Sequence, residues 1–365
     1  MNTIPLADVD RALGELWAAS SRADAHACLF TLVALCATPD ELPRARAALP
    51  VVALAHACRT VSVACYPSLD PSITARAGLH VDTRRGREPA GDDVDLDVRG
   101  DARRWVPSTV ARLRAEAVPL YLWWVGDLPD DDRLFDRLVE DADVAVVHTA
   151  DMDLRDLEAL ARLLELSRGA YVLADLTWMR LRTWQEFTAR FFDDPAARAH
   201  LPSVRELTIR LCPRERELEA ASTQAALFAA WLCTALGWDV SAPRWSGEGA
   251  ERVAALRNAA GDEVTVRFVT VDRAGVYPGA IEAVSLRAPG GARFEVARGD
   301  DDPYVLCWSA EADGVNSPAQ CVRIHPPEEP RMLCRALERP RRDPLFEKSL
   351  AAAAKLVAPV AARRS

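Results

Sequence analysis

Lysine is nearly absent from this chain of 365 residues, which contains only Lys348 and Lys355, both near the C-terminus. A phosphate-loop lysine or a Schiff-base lysine in the main body is therefore excluded. The chain also lacks the glycine-rich fingerprints of dinucleotide and phosphate loops, and it has no G-x-S-x-G elbow. The common enzymatic signatures are therefore missing from the sequence, and we expect no cofactor.

Metal-binding spacings are missing as well. The six histidines show no H-x-x-H or H-E-x-x-H arrangement, and the nine cysteines include no Cys-x-x-Cys pair, so we expect no metal site. Most cysteines lie inside apolar runs, which favours buried, reduced thiols in a cytoplasmic protein. No apolar run reaches membrane-spanning length, and the N-terminus opens with a polar helical pattern rather than a signal peptide.

The charge balance limits the class of partner. The chain has 45 Lys plus Arg against 54 Asp plus Glu, a net charge of −9. This balance argues against nucleic acid or an anionic membrane as the main partner. The length and the apolar content of 50% predict two domains with substantial cores, which we place at residues 1–212 and 213–365.

The first domain alternates apolar runs with helical patterns. This order predicts an α/β fold with a mostly parallel or mixed sheet and flanking helices. The run from Val94 to Val98 alternates Val, Asp, Leu, Asp, Val, so we expect it at a sheet edge with one solvated face.

The second domain has a different sequence pattern, and we expect it to be a smaller α+β domain. It opens with a long helix, about 215–236, whose second half is apolar nearly all round and should be buried. After a Gly, Ser and Pro-containing stretch to Gly249, which resembles a boundary, period-2 strands predict an antiparallel meander. A helix over 343–357 closes the chain.

The segment Val118–Val125 is an unbroken apolar and aromatic run that predicts a strand covered on both faces. Its two adjacent tryptophans, Trp123 and Trp124, must point to opposite faces of the sheet. One of them can be simple core, and the other is a candidate for organising a cleft or an interface at the carboxyl edge.

Ligands of open α/β sheets bind beyond the carboxyl ends of the strands. Three predicted strands end in polar or aromatic groups, and together with the tryptophans of the neighbouring segments they define a candidate cleft or partner interface: Trp123, Trp124, Asp127, His148, Asp151, Asp175, Trp178, Arg180 and Trp184. The alternative interpretation is that the aspartates cap helices and the tryptophans fill the core.

Two segments carry a family resemblance. Pro119-Leu-x-Leu-Trp-Trp-x-Gly126 and Asp175-Leu-Thr-Trp-Met-Arg-Leu-Arg-Thr-Trp184 resemble the paired signature of the glucose-6-phosphate dehydrogenase assembly protein family (OpcA). The segments Thr31-Leu-Val33, His56-Ala-Cys-Arg59 and Leu227–Trp238 are also similar to segments of that family. The resemblance extends from about Leu6 to Gly299.

The resemblance implies a non-catalytic partner that promotes assembly or activation of glucose-6-phosphate dehydrogenase, at the entry to the oxidative pentose phosphate pathway. An edge rich in aromatic residues and arginine suits a protein interface. The alternative hypothesis is an α/β protein that binds, or acts on, a sugar phosphate or nucleotide in a cleft containing Trp124, Asp127, Asp175 and Arg180.

Overall fold

The chain packs as two compact units, each built on an eight-stranded sheet. The computed structural model describes residues 3–20, 27–68, 70–86, 88–128, 133–213, 221–313, 315–325 and 328–361. Unit 1 comprises Met1–Asp151, Leu166–Leu176 and Pro327–Arg342, and unit 2 comprises Met152–Glu165, Thr177–Pro326 and Asp343–Ser365. The predicted α/β class is confirmed. The boundary between residues 212 and 213 stays a prediction, because packing units and independent domains are different properties.

The helices in chain order are α1 (Val9–Ala18), α2 (Leu42–Ala55), α3 (Val106–Leu113), α4 (Leu134–Val139), α5 (Asp156–Ser167), α6 (Leu176–Arg190), α7 (Pro195–Arg198), α8 (Thr223–Leu236), α9 (Glu329–Glu338) and α10 (Pro344–Ala361). None of the helices in the described ranges is both long enough and apolar enough to cross a membrane.

The sheet of unit 1 is mixed and has the order β1-β4-β5-β3-β2-β6-β7-β8. Its strands are β1 (Thr3–Ile4), β2 (Thr31–Cys36), β3 (Arg59–Tyr66), β4 (Ser72–Asp82), β5 (Glu88–Arg99), β6 (Leu120–Val125), β7 (Val144–Val147) and β8 (Val172–Asp175). The six strands from β5 to β8 in this order run parallel, whereas β4 is antiparallel to both β1 and β5. The central strands are buried on both faces, as expected where helices cover a parallel sheet.

The expected edge position of the alternating Asp strand is wrong. β5 lies inside the sheet, between β4 and β3. Its aspartates are accommodated there by polar partners on neighbouring elements. Asp97 pairs with Arg76 at 2.8 Å, and Asp95 accepts hydrogen bonds from Ser62 and Arg46. An alternating pattern therefore marks a face with polar partners here, rather than a face open to solvent.

The sheet of unit 2 has the order β10-β11-β12-β9-β13-β14-β15-β16. Its strands are β9 (Glu206–Leu211), β10 (Asp239–Ser246), β11 (Glu251–Arg257), β12 (Glu263–Thr270), β13 (Ile281–Arg287), β14 (Arg293–Arg298), β15 (Val305–Ala312) and β16 (Val315–Arg323). The predicted antiparallel meander is present but interrupted, because β9 inserts between β12 and β13 and runs parallel to β12. The stretch expected as a boundary forms the edge strand β10 instead.

Helix α8 is the buried helix that the sequence predicts. Leu227 and Phe228 are fully buried, and the Ser222 hydroxyl caps the helix by accepting from the Ala225 amide at 3.1 Å. Gly237 ends the helix with φ +67°, a conformation that favours glycine. The predicted first part of this helix, residues 215–220, lies outside the described residues.

The expectation of buried, reduced thiols is wrong for one pair of cysteines. Cys307 on β15 and Cys321 on β16 lie directly opposite each other and form a disulfide. Strand pairing brings their Cα atoms to 4.1 Å, and this proximity is invisible in a spacing of 14 residues. The other described cysteines are thiols, and burial raises the pKa of Cys36 and of Cys233 to about 12.

Candidate functional site

Both tryptophans of β6 belong to the interior of unit 1, since each side chain is 0% exposed. Trp124 donates a hydrogen bond from Nε1 to the carbonyl of Asp127 at 3.0 Å, and its ring meets the edge of Phe135 at 5.2 Å. Asp127 itself is exposed. Neither indole presents surface in the described chain, so a contribution of either one to an interface would act through the residues around it. Their role in a cleft or interface stays a prediction.

Asp175 ends β8 and holds the turn that follows β7. Its carboxylate accepts from the Thr149 amide at 3.1 Å and from the Thr149 hydroxyl at 2.7 Å. Both residues are buried. A buried carboxylate that accepts two hydrogen bonds is well satisfied. This geometry supports a structural role for Asp175 in shaping the carboxyl edge of the sheet.

Four charged or titratable side chains meet at the same edge, after β7. Arg44 on α2 lies 2.5 Å from Asp151 through Nη1, and it donates to Glu329 on α9 through Nε at 2.6 Å and through Nη2. Nδ1 of His148 is 2.6 Å from Nη2 of Arg44 and 3.1 Å from the Asp151 carboxylate. We call these four residues the Arg44 cluster; all of them belong to unit 1.

The electrostatics of the Arg44 cluster favour charged carboxylates. Burial alone would raise the pKa of Asp151, but the hydrogen bond from His148 and the charges of His148 and Arg44 outweigh it and lower that pKa to about 2. The pKa of Glu329 is lowered in the same way, by hydrogen bonds from His148 and Arg44 that outweigh its burial. Nδ1 of His148 accepts from the guanidinium when the ring is neutral and donates to a carboxylate when the ring is protonated.

The Arg44 cluster also contains the atoms that a metal ion would need. His148, Asp151 and Glu329 each offer one ligand atom, and these atoms lie within 4.8 Å of one another. The same three groups contact the Arg44 guanidinium, so the protein itself supplies the positive charge at their centre. A divalent ion would have to displace a guanidinium held by two carboxylates.

The second signature segment continues in unit 2 as helix α6, and its aromatic residues are structural anchors. Trp178 is buried against Phe346, and its Nε1 donates to the Asp343 carboxylate at 3.0 Å. Asp343 also accepts from the Phe346 amide at 3.1 Å, at the start of α10. Trp184 is buried under the guanidinium of Arg298, which lies 5.5 Å from its ring centroid. Each tryptophan therefore ties α6 to another element of unit 2.

Arg180 differs from the other residues of this segment because it is half-buried and has no acidic partner among the described residues. Its guanidinium carbon lies 5.3 Å from the ring centroid of Tyr277. The hydroxyl of Tyr277 donates to Oε1 of the buried Gln224 at 3.2 Å, at the start of α8. Arg180 and Tyr277 therefore form a contact between a cation and an aromatic ring near the first turn of α8.

The structure thus divides the nine candidate residues between the two units. Trp123, Trp124, Asp127, His148, Asp151 and Asp175 belong to unit 1, and Trp178, Arg180 and Trp184 belong to unit 2. A joint cleft formed by all of them stays a prediction. Sequence reasoning missed Arg44 and Glu329, which are 285 residues apart and carry no motif, and it also missed Tyr277 and Gln224.

Two family models match the chain. One describes the N-terminal domain of a glucose-6-phosphate dehydrogenase subunit and matches residues 50–164. The other describes the C-terminal domain of a glucose-6-phosphate dehydrogenase subunit and matches residues 171–350. Together they include both signature segments.

Curated relatives named as an OxPP cycle protein OpcA are also similar to the chain. The Nostoc punctiforme relative is 27% identical over 202 residues, 54% of this chain and 42% of the relative. The Synechocystis relative is 24% identical over 51% of this chain and 38% of its own length. The Synechococcus elongatus relative is 25% identical over 82% of this chain and 68% of its own length. The chain spans about two fifths of the length of the first two relatives.

Among solved structures, the chain is similar to a 3-ketoreductase from Actinomadura kijaniata, with a TM-score of 0.48 and 12% identity over 90% of this chain and 96% of that one. It is also similar to a UDP-N-acetylglucosamine 3-dehydrogenase from Acidithiobacillus ferrooxidans, with a TM-score of 0.45 and 12% identity over 91% and 98% of the two chains.

Proposed function

Since the chain belongs to the OpcA family of glucose-6-phosphate dehydrogenase assembly proteins, we propose that it is a non-catalytic partner of glucose-6-phosphate dehydrogenase. It binds the dehydrogenase in the cytoplasm and favours the active oligomer, at the entry to the oxidative pentose phosphate pathway. The observation that carries the proposal is the match of both family models, over residues 50–164 and 171–350.

The chemistry of the chain supports a binding role. The sequence contains none of the common catalytic signatures, and both of its lysines lie near the C-terminus. Polar residues at the carboxyl edge of unit 1 contact one another, as in the Arg44 cluster and the Asp175–Thr149 pair. Groups held in this way stabilise a surface shape, which a partner protein can recognise.

A partner of this kind needs no chemistry of its own to activate an enzyme. If it binds only the active oligomer, then at a free concentration one hundred times its Kd it stabilises that oligomer by about 2.7 kcal/mol. This free energy corresponds to a shift of about a hundredfold in the equilibrium between inactive and active dehydrogenase.

Only some of the nine candidate residues present surface to a partner. Asp127 is exposed, and Asp151 and Arg180 are half-buried, whereas the remaining candidates are buried. Asp127 follows the Trp-Trp strand directly and is the candidate most accessible to a partner of unit 1. We therefore place Asp127 in the interface with the dehydrogenase.

The test is co-purification of this chain with the cognate dehydrogenase, followed by size-exclusion chromatography and rate measurements with and without the chain. We expect a complex, a larger dehydrogenase species and a higher rate at limiting dehydrogenase concentration. The proposal would be refuted if an excess of this chain left the rate, the oligomer size and the elution position of the dehydrogenase unchanged.

Two charge reversals locate the interface. Asp127→Arg places a cation in the proposed interface, and Glu140→Arg makes the same change at an exposed site of unit 1, after α4. We expect Asp127→Arg to weaken the complex at least tenfold, because a like-charge or desolvated contact costs about 1.4 kcal/mol or more. Glu140→Arg should bind as the wild-type chain does. Equal affinities for both variants would move the interface away from Asp127.

A further inference from the structure

Arg180 is a half-buried cation for which no carboxylate lies within ion-pair distance in the described part of the chain. Several other arginines of the described chain are paired. Arg59 and Arg76 pair with aspartates of β5, and Arg190, on the same helix as Arg180, pairs with Glu186. The contact with the Tyr277 ring stabilises Arg180 by only about 0.5–1 kcal/mol. A partly desolvated guanidinium with this single contact leaves its donors available to an anion.

Tyr277 is held in place while one part of its ring stays open. Its hydroxyl is anchored on Oε1 of Gln224, the second residue of α8. The side chain is nevertheless 41% exposed. The first turn of α8, which holds Gln224, adds a partial positive charge, since the positive end of the helix dipole lies there. The Tyr277 ring thus contacts the Arg180 cation, and its hydroxyl reaches a residue of the first turn of a helix.

A second arginine lies near Tyr277 and increases the positive potential. Arg298 is buried and donates to the carbonyls of Ile281 at 2.8 Å and Pro303 at 2.6 Å. Burial lowers the pKa of Arg298, and the neighbouring Tyr277 and Glu282 partly offset this effect. Because the reference pKa of arginine is so high, Arg298 remains charged at neutral pH.

In this region the carboxylate of Glu282 contacts two guanidinium groups. Glu282 is 3.9 Å from Arg298, and it accepts a close hydrogen bond from Arg273. In the ranges that the structure describes, these are the ion pairs that Arg298 and Arg273 form. Arg298 and Arg273 thus share the carboxylate of Glu282, whereas Arg180 contacts the Tyr277 ring.

We propose that Arg180 and Tyr277 form a binding site in unit 2 for the phosphate group of a small organic phosphate. The guanidinium fork of Arg180 matches two phosphate oxygens, and a guanidinium binds phosphate in this bidentate way better than an ammonium does. The exposed part of the Tyr277 ring takes the organic part of the ligand. Arg298 contributes long-range attraction, because its Nε and Nη1 donors are occupied by carbonyls.

The site is independent of the proposed binding to the dehydrogenase. It requires no second protein, so it is tested on the full chain alone. A failure of this test leaves the role as partner untouched, and the absence of a complex with the dehydrogenase leaves this site untouched.

The experiment is isothermal titration of the full chain with inorganic phosphate and with phenyl phosphate, whose ring probes the contact with Tyr277. Sodium acetate and sodium chloride at matched ionic strength are the control ligands. We expect saturable binding of both phosphates, with phenyl phosphate at least threefold tighter, and an increase in Tm of about 2–4 °C at tenfold excess over Kd. Acetate should bind more weakly, and chloride should give no saturable signal.

Matched variants assign the binding to this site. Arg180→Gln should weaken phosphate binding at least tenfold, and Arg180→Lys, which retains the charge but not the fork, should restore part of it. Arg182→Gln is the control, because Arg182 is exposed on the same helix two residues later. Tyr277→Ala should remove the preference for phenyl phosphate over inorganic phosphate. Circular dichroism and the Tm without ligand establish that each variant is folded.

Three results would overturn the proposal. The first is the lack of a saturable signal with either phosphate. The second is a Kd for Arg180→Gln equal to that of Arg182→Gln. The third is an increase in Tm that chloride of the same ionic strength reproduces, since this would identify general screening rather than a site.

Discussion

Replacement of Asp151 by asparagine tests whether the Arg44 cluster contributes charge-dependent stability to unit 1. Asp151 is 27% exposed and contacts Arg44 at 2.5 Å and His148 at 3.1 Å. Its pKa is lowered from the ordinary 3.8 to about 2, as hydrogen bonding and charge outweigh burial. This difference corresponds to about 2 kcal/mol of stability, at 1.36 kcal/mol per pKa unit. We expect Asp151→Asn to lower the free energy of unfolding by about that amount at pH 7.

The stabilisation by the Asp151 carboxylate should depend on pH, and it should decrease as the pH falls. A carboxyl group whose pKa is depressed in the folded state stabilises the fold fully above its unfolded-state pKa. That stabilisation is lost as the pH falls through the folded-state value, here between about pH 4 and pH 2. The difference between wild type and Asp151→Asn should therefore be constant above pH 5 and should close toward pH 2. Glu329, whose pKa is also lowered, shares Arg44 and His148 with Asp151 and adds its own acid dependence in the same direction.

The assay is urea unfolding at a series of pH values from 7 to 2. Asp153→Asn is the matched control, because Asp153 lies two residues further on and pairs with Arg155 at 3.5 Å at the surface. Such surface pairs contribute about 0–1 kcal/mol. An Asp151→Asn penalty at pH 7 no larger than that of the control would refute the reasoning. A penalty that persists unchanged at pH 2 would also refute it, because it would indicate lost packing rather than lost charge.

Two further perturbations test the packing. In urea unfolding, Trp124→Phe should destabilise the chain by about 1 kcal/mol more than Trp123→Phe. The reason is that, of the two indoles, only that of Trp124 donates a hydrogen bond in the described chain, to the carbonyl of Asp127. Equal losses of unfolding free energy in the two variants would contradict this prediction. Reduction of the Cys307–Cys321 disulfide should lower the free energy of unfolding by about 3 kcal/mol, the value for a loop of this length, and the double alanine variant should lose all sensitivity to reductant. A wild-type Tm that is the same with and without reductant would contradict the second prediction.

The hydrophobic pattern determined the elements that are buried along their whole length. The apolar run around Trp123 and Trp124 could only be a strand covered on both faces, and β6 is buried at all six positions. The apolar second half of α8 likewise required burial on every side. The two signature segments were enough to place the chain in its family, because aromatic residues at fixed spacing carry information that needs no tertiary structure.

Partners distant in sequence were decided by the tertiary structure alone. Arg44 and Glu329 meet although 285 residues separate them, and neither residue lies in a motif. Strand β9 inserts between β12 and β13, and β5 lies inside its sheet. Periodicity records which face of an element is buried, but it contains nothing about which element covers that face. For this reason the sequence pointed to the carboxyl edge of a sheet as the candidate site. Only the structure showed that Arg44 contacts His148, Asp151 and Glu329 there. Only the structure showed that Arg180 contacts Tyr277 and has no carboxylate partner in the described chain.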